Sequence, residues 1–127
     1  LYVQDGCLHY VHNVLGDVHH RVSSPPLPIG ARRLGYSFTP TGPFQGDVDL
    51  LVDGEVVATG HLPSTTVFSY VLFGEYFCIG EDDCTPVDVR YAAPFHFTGT
   101  IDRVVIDVSG EPFRDLAMEL EAFLATQ

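Results

Sequence analysis

The strongest constraint on this fold is a pair of Asp-Gly dipeptides, each set between runs of β-forming residues. Asp53-Gly54 separates Val48-Asp49-Leu50-Leu51-Val52 from Glu55-Val56-Val57-Ala58-Thr59, and Asp5-Gly6 separates Tyr2-Val3 from Leu8-His9-Tyr10-Val11-His12. A two-residue Asp-Gly connection favours a type I′ turn, in which both central residues take positive φ and the twist matches that of the strands it joins. Each dipeptide therefore predicts an antiparallel hairpin. In the second arm of the first hairpin, period two puts Leu8, Tyr10 and His12 on one face and Cys7, His9 and Val11 on the other.

Strand signals continue between these hairpins. Val18 to Val22 reads as a third short strand, ended by Ser23-Ser24-Pro25-Pro26-Leu27-Pro28, where prolines remove ladder donors. Arg32 to Phe38 places Leu34, Tyr36 and Phe38 on one side, before a Thr/Pro/Gly loop from Thr39 to Gly46. Val67 to Phe73 and Tyr76 to Ile79 are further strand candidates, Gly80 to Pro94 is a long loop, and Thr100 to Val108 is a closing strand. Strands at such spacing, with turn chemistry between them, predict an all-β antiparallel sandwich over residues 1–108. The period then changes: Phe113, Leu116, Ala117, Leu120 and Leu124 recur at helical spacing behind Pro112, predicting one C-terminal amphipathic helix over 111–125. The 127 residues make a single domain, and an opening that reads as mid-strand suggests a piece of a longer chain.

Composition excludes some partners. Six Arg and no Lys against 17 acidic residues give a net charge of -11, which repels phosphate backbones and anionic membranes. Neither nucleic acid nor membrane is an expected partner, and no apolar run reaches membrane-spanning length. Cys7, Cys78 and Cys84 are too few and too irregular for a disulfide framework or a zinc site, which favours a reducing compartment such as the cytoplasm.

Candidate chemistry is sparse. Asp17 with His19-His20 offers metal-ligand types, but adjacent strand residues point to opposite faces and cannot chelate together. Glu81, Asp82, Asp83 and Asp88 could hold calcium or act as paired carboxylates; their spacing does not fit an EF-hand, and a solvated acidic loop explains them. Tyr91, Phe95 and Phe97 flank that loop and could stack on a sugar or form a packed corner. Tyr10, Tyr36, Phe38, Phe68, Tyr70 and Phe77 fall within strand runs and read as core. No nucleophile elbow, P-loop or zincin motif is present, so no catalytic, cofactor-binding or metal residue is assigned.

Several segments taken in order carry a resemblance. Leu27-Pro28-Ile29-Gly30, Leu51 to Pro63, Ile79-Gly80-Glu81-Asp82, Pro86-Val87 and Pro94-Phe95-His96-Phe97-Thr98-Gly99-Thr100-Ile101, with the opening hairpin, resemble the C-terminal region of long bacterial arylsulfatases. The likeness spans the chain to about Val108. It implies a concanavalin A-like (laminin G-like) jelly-roll sandwich, docked as a non-catalytic accessory on the sulfatase domain. In that family the sulfate-ester chemistry belongs to the preceding domain, with a formylglycine from a Cys/Ser-x-Pro-x-Arg motif and a calcium-like divalent metal. Cys84-Thr85-Pro86-Val87-Asp88-Val89-Arg90 echoes that motif but puts Asp88 where Arg is required, so Cys84 is rejected as a nucleophile. Two further expectations come from fold analogy: a carbohydrate-binding module and a calcium-stabilised adhesion module.

Overall fold

A computed structural model describes residues 1–66 and 77–110. These residues are all-β, with antiparallel pairing throughout and no helix among them. Strands β1 (Tyr2–Gln4), β2 (Cys7–Val14) and β3 (Val18–Pro26) form one sheet in the order β1-β2-β3. A second sheet, in the order β4-β5-β6, contains β4 (Leu34–Gly42), β5 (Gln45–Val52) and β6 (Glu55–Leu62). A short ladder joins β7 (Glu81–Asp82) to β8 (Phe95–His96).

Both Asp-Gly hairpins form as expected. Asp5 and Gly6 take φ of 51° and 73°, and Asp53 and Gly54 take 51° and 93°, the positive pair that a type I′ turn needs. Asp53 also ties its turn to the preceding chain, accepting the backbone N–H groups of Arg32 and Arg33 at 3.0 and 2.8 Å. Those two bonds hold its carboxyl below the usual carboxylate range.

Alternation sets the core. Val48, Leu50 and Val52 on β5 share a buried cluster with Leu62 on β6 and with Leu8 and Val22 from the first sheet, so the core lies between the two sheets. Four of these side chains, Leu8, Val48, Leu50 and Leu62, are at most 1% exposed, and each contributes about 1.5–3 kcal/mol through burial. The sheets meet closely at Gly60, where a Cβ would stand 2.4 Å from Cγ2 of Val22. Only a residue without a side chain admits that approach.

The strands depart from expectation at six places. First, β3 runs on through Pro25 and Pro26, because it is the sheet's edge and its prolines cost little pairing there. The hydroxyl of Ser24 compensates by accepting the N–H of Leu8 at 2.9 Å, beside the irregular register between Cys7 and His9. Second, the expected loop from Thr39 to Gly46 is ladder except for Pro43 and Phe44, with Phe44 at a φ of 51°. Third, Tyr36 and Phe38, expected in the core, are 47% and 40% exposed. Fourth, the Gly80 to Pro94 loop contains β7 and folds back through β8. Fifth, Thr100 to Val108 forms no strand and pairs with none of the described residues. Sixth, Phe77 to Ile79, three of the four residues of the candidate strand at Tyr76 to Ile79, form no strand, and Phe77, expected in the core, is 71% exposed. The candidate strand at Val67 to Phe73, Tyr76, and the helix over 111–125 lie outside the described residues.

Candidate functional site

The two faces of the first sheet have different neighbours. Leu8, Tyr10 and Val22 face the second sheet. Tyr2, His9, Val11 and Arg21, which the register pairs across strands as Tyr2↔His9 and Val11↔Arg21, lie on the opposite face. A flap from Ile79 to Phe97 covers that face and carries the acidic cluster and aromatic residues singled out in the sequence.

Asp88 is the centre of the flap's attachment. Its side chain is 0% exposed and accepts from three directions: Arg21 with Nε (2.8 Å) and Nη2, the Tyr2 hydroxyl at 2.5 Å, and the Arg90 N–H at 3.2 Å. The Arg21 fork binds both carboxylate oxygens, which is the geometry a buried ion pair requires to recover its desolvation cost. Burial alone would raise the Asp88 pKa, but the Arg21 and Tyr2 hydrogen bonds outweigh it and hold the carboxyl well below its ordinary range. The same contact pushes Tyr2 up to about 12, chiefly through desolvation and then through its bond to the anionic Asp88.

Asp82 is used in the same way. It accepts the Tyr91 hydroxyl at 2.5 Å and the Val87 N–H at 3.1 Å, and Tyr91 is raised above its usual pKa by burial and then by that carboxylate. Glu81 instead pairs with His96 at 3.3 Å, and Asp83 receives the S–H groups of Cys78 and Cys84 at 3.7 and 3.4 Å. The four acids therefore point at four different partner sets. They do not converge on a common ligand, and for Asp88 and Asp82 the expectation of a solvated loop is replaced by internal pairing. Asp88, four residues after Cys84, is paired with Arg21.

The aromatic residues close the same corner. Tyr91 and Phe95 stack with centroids 4.3 Å apart, and both meet Tyr2 edge-on at 5.0 and 5.9 Å. Tyr2 in turn lies 5.0 Å from the His9 ring. Stacking of this kind uses the faces that a sugar would need. Phe97 takes no part; its ring lies against Gly99, where a Cβ would be 2.7 Å from it.

The histidines separate by strand parity, as anticipated. His19 and His20 fall on opposite faces of β3, their cross-strand partners being Asn13 and His12. The His12 and His20 side chains hold the segment after β6: His12 Nε2 accepts the Thr66 N–H at 3.0 Å, and His20 Nε2 lies 2.7 Å from the Ser64 hydroxyl. Burial and then the neighbouring His20 lower the His12 pKa, consistent with a neutral ring accepting at Nε2. No group of three or more metal-ligating side chains converges among the described residues.

Sequence reasoning missed Arg21 and Tyr2 as the partners of Asp88. They lie 67 and 86 residues from it, and no local pattern connects them. Comparisons with protein-family models, curated proteins and solved structures gave no match. The arylsulfatase resemblance accordingly rests on the sequence segments alone.

Proposed function

We propose that this chain is a non-catalytic accessory domain, an antiparallel jelly-roll sandwich of the concanavalin A-like kind, that docks on a separate hydrolase domain. The resemblance to arylsulfatase C-terminal regions suggests a sulfatase as that partner. Formylglycine and the divalent metal would belong to the partner. The observation that carries the reading is how the flap's carboxylates are used: Asp88 and Asp82 are occupied in fastening the flap to the sheet, and neither is presented to a substrate. Exposed aliphatic residues at Val104, Val105, Ile106 and Val108 supply the kind of surface that a docked domain would cover.

The test is an assay of the purified chain with an aryl sulfate ester, alone and as Cys84→Ala. The expected result is no turnover above the uncatalysed background in either. Turnover that survives Cys84→Ala would overturn the non-catalytic reading.

A carbohydrate-binding module is the second reading, and one observation favours it. Tyr36 and Phe38 stand two residues apart on one face of β4, both substantially exposed, with Tyr10 against Tyr36 at 4.7 Å. Such a row can stack on sugar rings. A glycan titration showing saturable binding in the wild type and loss of it in Tyr36→Ala would favour this reading over docking.

A further inference from the structure

We propose that Cys78 and Cys84 are a redox-active thiol pair that closes to a disulfide by exchange with a low-molecular-weight disulfide, stapling the entrance of the flap. This goes beyond the accessory-domain reading, which concerns the flap's carboxylates, and does not depend on it.

One atom brings the two thiols together. Oδ1 of Asp83 accepts the S–H of Cys78 at 3.7 Å and that of Cys84 at 3.4 Å, so the sulfurs are at most about 7 Å apart. The chain between them is held by the flap itself. Gly80 turns it with a φ of 84°, the Gly80 carbonyl accepts the Phe97 N–H at 2.8 Å, and Glu81–Asp82 is β7, paired to β8. A change of staggered well about χ1 moves a sulfur by about 3 Å, so rotation at both cysteines can close a gap of this size. Asp83 is exposed and can swing out to solvent as they meet. Cys7, in contrast, lies on β2 opposite Pro26 in the first sheet, and serves as an internal control.

Exposure divides the roles. Cys84 is exposed and Cys78 half-buried. Burial and then the Asp83 carboxylate raise the Cys78 pKa, so Cys78 is the poorer first nucleophile. The Cys84 thiolate attacks one sulfur of the small disulfide, whose S–S bond breaks to release one thiolate and leave a mixed disulfide on Cys84. Cys78 then gives up its proton, attacks the Cys84 sulfur and expels the second thiolate. Two protein thiols are oxidised, the small disulfide is reduced to two thiols, and those thiols carry away the two protons. Glu81, Asp82 and Asp83 stand beside the pair in a chain of net charge -11, so an uncharged disulfide reaches Cys84 more readily than an anionic one such as oxidised glutathione.

The test equilibrates the whole chain with hydroxyethyl disulfide and mercaptoethanol at about pH 8, with and without about 8 M urea, followed by acid quench, alkylation and peptide mapping by mass spectrometry. The expected product is a Cys78–Cys84 disulfide, with Cys7 still open to alkylation. Five residues between two cysteines allow some closure in an unfolded chain, so the comparison with urea is decisive. The closure equilibrium should be at least about tenfold more favourable in the folded chain, and by linkage the bond then stabilises the fold by the same factor. In Cys78→Ala, the mixed disulfide should persist on Cys84, because the second thiol is gone. Closure no more favourable in the folded chain than in urea overturns the proposal. So does oxidation of the folded chain that stops at the mixed disulfide on Cys84, or that joins Cys84 to Cys7.

Discussion

At the scale of single residues the structure turns on Asp88. A carboxylate with four hydrogen-bond donors around it is stable in the interior only while it stays ionised and paired. Removing the charge by Asp88→Asn leaves Arg21 short of its counter-ion, and the expected cost is about 3 kcal/mol by urea denaturation, at the low end for a buried pair because Arg21 is one-fifth exposed. The pH dependence has two limbs. Asp88 has a depressed pKa in the fold, so its stabilisation is complete above the unfolded value near about 4 and is lost as pH falls towards the folded value. Tyr2 is raised to about 12, so its stabilisation is complete below its unfolded value near about 10 and is lost as pH rises through about 12. Tyr2→Phe should therefore flatten the alkaline limb and Asp88→Asn the acid limb, each measured as the urea midpoint against pH. None of this could be read from the sequence. Arg21 occupies a strand position whose parity opposes the core, for which solvent is the ordinary destination, and nothing local predicts that a flap closes over it.

Elements were far more legible, because a hairpin is specified by residues that are neighbours in the chain. Asp5-Gly6 and Asp53-Gly54 carry their own backbone requirement, and the alternation of Val48, Leu50 and Val52 identifies the buried face of β5 directly. What failed to show was anything depending on a strand's place in its sheet. The prolines of β3 are tolerated because that strand is an edge, and that position is not encoded in the strand itself. Gly60 belongs to the same category, since its lack of a side chain is explained only by Val22 on the other sheet. Gly60→Ala should destabilise by about 1–3 kcal/mol through overpacking, and Val22→Ala should cost a similar amount as a cavity. Because the two side chains compete for one space, the double variant should be more stable than the sum of the single losses by at least about 1 kcal/mol, read from a denaturation cycle. Strict additivity would show that the sheets part at this point to admit the methyl group.

In the whole molecule, two kinds of cohesion hold three layers together. Between the sheets it is aliphatic, through Leu8, Val22, Val48, Leu50, Val52 and Leu62; between the first sheet and the flap it is largely ionic and aromatic, through Asp88, Arg21, Tyr2, Tyr91 and Phe95. Every buried polar side-chain atom among the described residues has a partner, so the flap stays closed as long as those groups keep their neutral-pH charges. The two interfaces should therefore respond differently to acid. Protonating Asp88 removes the charge that Arg21 and Tyr2 are arranged around, while burial of apolar surface between the sheets does not depend on pH. Hydrogen exchange followed by mass spectrometry should find the amides of Glu81 to His96 losing protection as pH is lowered below about 4, before those of Val48 to Val52 lose theirs. Intrinsic exchange slows in the same pH range, so faster exchange in the flap would report opening directly. The Asp88→Asn variant should show the same order of release at neutral pH, with flap protection reduced by about a hundredfold and β5 protected to the level set by the variant's global stability. Simultaneous loss in both regions at every pH would mean that flap and sheets unfold as one unit, with the ion pair serving the whole fold.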